Sequence, residues 1–206
     1  MLDAYTPSLM KSTNVTRVSH LVGPADRWRK QGHRGGVLWF TGLPASGKKT
    51  LAYQLEARLF DAGFEVYAFD SARIRQGLNA DLGFSREDRR ENIRRAGEVA
   101  AVMARSGLVV ITAFISPYAK DREAAKVAAE NFHEIYLDVP LHVCEARDSQ
   151  NRYARARAGA LEDFTGVTAP YEIPAGAELT LDGVTLGADA CLDQLQAYVE
   201  THFRNI

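Results

Sequence analysis

Short apolar runs alternate with longer amphipathic stretches along this chain. The runs at 36–41, 65–69, 108–115 and 133–137 predict strands, and 178–181 predicts a weaker one. Between them the spacing predicts helices near 48–61, 86–105, 117–130, 141–148 and 187–203. In the first of these, Leu51, Ala52, Leu55 and Leu59 share one helical face. Strands alternating with helices predict a parallel sheet covered on both faces, an α/β domain of three layers, α/β/α. Ligands of such sheets bind at the C-terminal ends of the strands. That rule points to Gly42–Lys48, Asp70, Ser116, Pro117 and Asp138.

Two stretches depart from the rhythm. Residues 1–34 are polar and irregular and read as an N-terminal extension, leaving 35–206 as the domain. Residues 147–171 are long for a plain connection and carry Arg147, Arg152, Arg155 and Arg157. They read either as a cationic lid, spanning about 147–165, or as a solvated basic loop.

The chemistry concentrates after the first strand. Gly42 and Gly47 bracket Leu43, Pro44, Ala45 and Ser46, and Lys48 follows. This spacing suits a phosphate-binding loop: glycines let backbone N–H groups point at phosphate oxygens, and the lysine reaches the β- and γ-phosphates. A helix starting at Lys48 would place the phosphate on its N-terminus. The next position calls for a Ser or Thr hydroxyl to ligate Mg²⁺, and here it is Lys49, followed by Thr50. A glycine loop arising by chance between a strand and a helix is the competing reading.

Composition narrows the class. The chain has 206 residues, 46% of them hydrophobic, and a net charge of −1, which suits one domain with a real core. Such a balance gives no field directed at nucleic acid or an anionic membrane, and no apolar run approaches the about 18 residues of a span. Residues 1–13 lack an apolar signal core, so a cytoplasmic protein is expected. Cys144 and Cys191 lack metal-ligand spacing and read as buried small hydrophobes, and the five histidines form no zinc pattern.

Six motifs in order extend the phosphate loop: 38–43, 77–85, 91–95, 112–117, 144–148 and 164–166. With them the chain, from about Asn14 to Asp182, resembles the adenylylsulfate kinase family. The resemblance implies a P-loop nucleotide kinase fold and ATP-dependent phosphorylation of the 3′-hydroxyl of adenosine 5′-phosphosulfate. ATP is the implied nucleotide and Mg²⁺ the implied ion. A homodimer, or association with a sulfurylase, is the implied assembly. Lys48 and Asp70 take the catalytic positions, with Asp70 as base or orienter of the hydroxyl. By itself, Asp70 reads equally as a helix N-cap. Gly42 to Thr50, Arg147 and Arg157 take the ATP positions. Arg75, Phe84, Arg89, Asn92, Ile115, Ser116, Pro117 and Phe164 take the acceptor positions, with Phe84 and Phe164 sandwiching the adenine. Without the resemblance the two phenylalanines read as core, and the arginines of 86–95 as a solvated face with pairs such as Glu91–Arg95.

The chain also departs from the family pattern. Lys49 stands where the family has its metal-ligating serine. After the second strand the family reads Asp-Gly-Asp-Asn and this chain reads Asp70, Ser71, Ala72, Arg73. One hydroxyl and one carboxylate leave the expected metal site, while Lys49 and Arg73 bring positive charge towards it, so the site is weakened and no residue is assigned as a metal ligand. Ala154 replaces a substrate-contacting lysine of the lid. Two outcomes fit: a kinase with weak metal dependence, or a nucleotide-binding or regulatory homologue. A kinase with another nucleoside-like acceptor is a third.

Overall fold

The computed structural model describes residue 14 and residues 20–204. Most of the predicted extension, including 1–13, lies outside the described residues. Five parallel strands form one sheet in the order β2-β3-β1-β4-β5. They are β1 (Gly36–Thr41), β2 (Val66–Asp70), β3 (Val109–Ala113), β4 (Phe132–Asp138) and β5 (Leu179–Asp182). The helices are α1 (Pro24–Gln31), α2 (Lys48–Asp61), α3 (Ser71–Arg75), α4 (Arg86–Arg105), α5 (Ala119–Ala128), α6 (Leu141–Ala146), α7 (Arg152–Arg157) and α8 (Ala188–Phe203).

Alternation along β1 builds the two cores. Leu38 and Phe40 pack with Leu51, Leu55 and Leu59 of α2 and with Leu192, Leu195 and Val199 of α8. Val37 and Trp39 point the other way, to Ile93, Ala96 and Ala100 of α4 and Ala125 of α5. The period-2 side-chain rule of a strand therefore sorts helices onto opposite faces and gives the three layers. The small residues of α4 let α5 close in: a Cβ at Gly97 would stand 3.0 Å from Ala125.

Three helices lie where no helix is predicted. α1 falls within the stretch read as irregular. Pro24 occupies its first turn and Gly32 ends it in the left-handed conformation, but Trp28 is its one large apolar side chain, too little for a period to show. α3 is a single turn capped by Asp70. α7 lies inside the lid segment. The other boundaries move by a few residues: β3 is shorter than its apolar run, because Phe114 and Ile115 continue past the strand into the rim.

The sheet order places the site. Asp70 pairs with Ala113, and Ala113 pairs with Phe40, so the three share one row near the C-terminal ends of β2, β3 and β1. Two strand spacings, about 10 Å, separate Asp70 from the strand that feeds the glycine loop. This is the crevice side where open α/β sheets bind their ligands.

Candidate active site

The glycine loop turns as its spacing demands. Gly42 has φ +150° and Gly47 φ +101°, conformations that a side chain resists. Ala45 adopts φ +59° without being glycine, a strained position of the kind found at ligand sites. α2 begins directly at Lys48. The Lys48 ammonium is buried and donates to the carbonyls of Gly42 at 2.8 Å and Leu43 at 2.6 Å, and to Ser46 Oγ at 3.0 Å. Burial pushes this ammonium down to about 7, and Arg152 adds to the effect while Cys144 opposes it.

Lys49 leaves the helix on the cleft side and reaches across to Asp70. Its Nζ lies 2.7 Å from Asp70 Oδ2, and the Tyr53 ring one turn along α2 sits 5.8 Å from the same ammonium. Asp70 itself is buried, and its Oδ1 accepts from Arg73 N–H at 2.8 Å as the cap of α3. Asp70 thus caps α3 through one oxygen and meets Lys49 through the other. Burial pushes the Asp70 carboxyl up, but Lys49 and the α3 backbone outweigh it and hold it below its usual value. Arg73 meets this carboxylate through its backbone, and its guanidinium does not line the cleft.

The cleft has a volume of about 680 Å³. Pro44, Ala45, Gly47, Lys48, Lys49 and Thr50 line it from the loop, and Asp70, Ser71, Ala72, Ala113 and Ile115 from the strand ends. Arg147, Ser149, Gln150 and Arg152 line it from the lid segment. Arg147 also donates to Gly183 O at 3.0 Å. Arg157, assigned to ATP in the sequence, does not line the cleft: it forms a two-pronged pair with Glu145 at 2.8 and 2.9 Å. Arg152 lines the cleft, held by Asp148 at 3.0 Å. Its spacing from Arg147 was visible only as part of a basic run.

The segment that carries α7 is rooted in the loop. Tyr153 is buried and its hydroxyl donates to Pro44 O at 2.9 Å. Burial pushes that phenol above its usual range, so it stays a donor. Tyr153, Cys144 and Val139 form a small core of their own with Leu43, Ala45 and Phe164 packed on it.

The predicted acceptor residues divide into two sets. Arg75 stacks over the Phe84 ring at 4.5 Å and donates to the carbonyls of Leu82 and Gly83. Phe84 is 68% exposed, so it is not core. Arg89 donates to Phe84 O at 2.8 Å and to Thr165 Oγ1 at 3.4 Å, which ties the Phe84 turn to the Phe164 loop. Phe164 packs edge-on against Tyr153 at 5.0 Å. The side chains of Ser116 and Asn92 are turned inward. Ser116 Oγ accepts from Trp39 Nε1 and donates to Thr41, and Asn92 Oδ1 accepts from Asn79. Ser116 has φ +40°, so Ile115 and Pro117 flank a strained turn at the rim. Arg122 fastens this turn, donating to Ser116 O and Glu172 O while pairing with Glu134. Arg95, read as one of a solvated pair, bonds Glu91, Asp81 and Leu78 O and so anchors the turn before Phe84.

A sequence model of a family described as adenylylsulphate kinase matches residues 34–182. The chain is 50% identical over 175 residues to an adenylyl-sulfate kinase of Enterobacter sp. (strain 638), covering 84% of this chain and 87% of that protein. It is 43% identical over 193 residues to an adenylyl-sulfate kinase of Clostridium acetobutylicum, covering 93% and 96%. Among solved structures it resembles the Mycobacterium tuberculosis APS kinase CysC in complex with AMPPNP and APS. That match has a TM-score of 0.77 and 40% identity, and covers 81% of this chain and 98% of the other.

Proposed function

The chain belongs to the adenylylsulfate kinase family, and we propose that it transfers the γ-phosphoryl group of ATP to the 3′-hydroxyl of adenosine 5′-phosphosulfate. The observation that carries the reading is the shared cleft: the phosphate loop and the buried Asp70 carboxylate face each other within reach of one side chain. Phosphoryl transfer asks mostly for alignment and charge stabilisation. Lys48 exchanges its loop carbonyls for phosphate oxygens. Arg147 and Arg152 cover the transferring charge from the lid. Asp70 orients the attacking hydroxyl. Phe84 and Phe164 stack the acceptor adenine, Arg75 and Arg89 meet the phosphosulfate, and Ile115 to Pro117 form the pocket wall.

A protein-held divalent ion does not suit this donor set. Position 49 offers an ammonium in place of a hydroxyl, Ala72 offers no donor, and Asp70 is engaged on both oxygens. A cytoplasmic setting fits the two cysteines, which are free and buried. A homodimer, or a complex with a sulfurylase, belongs to the same reading, and sedimentation of the protein with and without a sulfurylase measures it.

The test is a coupled assay of ADP release. It is expected to require ATP and adenylylsulfate together, with the 3′-phosphorylated product identified by mass. A protein that binds ATP but releases no adenylylsulfate-dependent ADP would be a binding module instead.

A further inference from the structure

The position after Lys48 is where a phosphate-binding loop normally supplies a hydroxyl for the nucleotide's metal ion. Here it supplies a cation already seated on a carboxylate. Lys49 Nζ is 2.7 Å from Asp70 Oδ2, and the Tyr53 ring lies 5.8 Å from the same ammonium. The carboxylate is fixed by its second oxygen, which caps α3. Ala72, which lines the same cleft, has no group to hold an ion there.

The Lys49 side chain is 65% exposed. Asp70 is only 7% exposed, so the ammonium stays on the carboxylate. The open face of the ammonium is what meets a second anion, and its three N–H donors allow both contacts at once. The charges of the cleft point the same way. Among the described residues, Lys48, Lys49, Arg147 and Arg152 line it against one carboxylate, Asp70. That excess of positive charge complements a free nucleoside polyphosphate better than its metal chelate, which carries less negative charge.

We propose that this cleft takes its nucleotide without a divalent ion, with the Lys49 ammonium bridging Asp70 and the phosphates as a tethered substitute. The inference rests on the nucleotide-site reading above and deepens it by naming the form of the nucleotide bound. It needs no redox or covalent step, because the ammonium acts by charge and hydrogen bonding alone.

Calorimetry on the full chain tests it, using ADP and a non-hydrolysable ATP analogue in EDTA and in excess Mg²⁺. Wild-type affinity is expected to differ by less than about threefold between the two media. In EDTA, Lys49→Met is expected to bind about tenfold more weakly or worse, and Lys49→Arg to keep most of the affinity. Lys49→Ser is expected to lose metal-free affinity and to regain part of it with Mg²⁺. Thermal melts establish that each variant is folded, and the wild-type comparison needs no variant. Wild-type binding that falls about tenfold or more in EDTA would overturn the proposal. So would Lys49→Met binding as tightly as wild type without metal, and so would no nucleotide binding in either medium. Wild-type binding that needs Mg²⁺, with adenylylsulfate-dependent ADP release intact, overturns this inference and leaves the proposed function standing.

Discussion

Lys49 and Asp70 sit 21 positions apart in the chain and 2.7 Å apart in space, and the carboxylate they share also caps the next helix. The double engagement makes Asp70 a residue whose two roles separate cleanly. Asn caps a helix about as well as Asp. Asp70→Asn is therefore expected to melt near the wild-type temperature while turnover falls by about 10²–10⁴-fold, the range for a lost general base. Steady-state rates beside a melting curve check it. Unchanged turnover would leave Asp70 with its cap alone.

Phe84 and Phe164 should respond differently to truncation. Each Ala variant is expected to weaken adenylylsulfate binding by about 1–3 kcal/mol, the worth of a stacked base. Phe84 is exposed, so its loss should leave stability nearly untouched. Phe164 packs on Tyr153, so its loss should also lower stability, by about 0.5–1.5 kcal/mol for the ring pair. Calorimetry and denaturant titration of both variants measure the split.

The buried Lys48 links nucleotide binding to pH. Its ammonium is pushed from an ordinary 10.5 to about 7. Between those values the unfolded chain binds more protons, so the stability of the nucleotide-free protein should rise with pH across that window. Phosphates favour the charged form, so nucleotide binding near pH 8 should take up protons. Binding enthalpies in buffers of different ionisation enthalpy give the proton count, and a zero slope would contradict the expectation.

Nucleotide should quiet the lid. With ATP or ADP bound, amide exchange across residues 147–165 is expected to slow, because Arg147 and Arg152 gain phosphate partners. Exchange that is the same with and without nucleotide would mark the segment as a solvated loop.

The sequence showed what repeats and what punctuates. The apolar runs announced all five strands, and Gly42, Gly47 and Lys48 announced the loop, because spacing and backbone freedom are local properties. α1 and α7 stayed hidden for a physical reason. α1 offers Trp28 as its one large apolar side chain, and α7 buries only Tyr153 and Ala156, so neither is long and apolar enough for periodicity to detect. The Lys49–Asp70 pair depends on strand order, which spacing does not encode. The sequence put cations near the site, but only the fold decides that Lys49 reaches the carboxylate and that Arg152, in place of Arg157, faces the cleft. Ser116 and Asn92 illustrate the reverse case. Their motif positions match a pocket, and their side chains are spent on Trp39, Thr41 and Asn79.

The bond from Tyr153 to Pro44 has a mechanical consequence. It fastens the helix that begins at Arg152 to the glycine loop, so a displacement of one is resisted by the other until the bond breaks. Such a bond contributes about 0.5–1.5 kcal/mol. Tyr153→Phe would thus loosen the grip on a nucleotide that the tyrosine never touches, and damage to the helix would be felt as a fault in the loop.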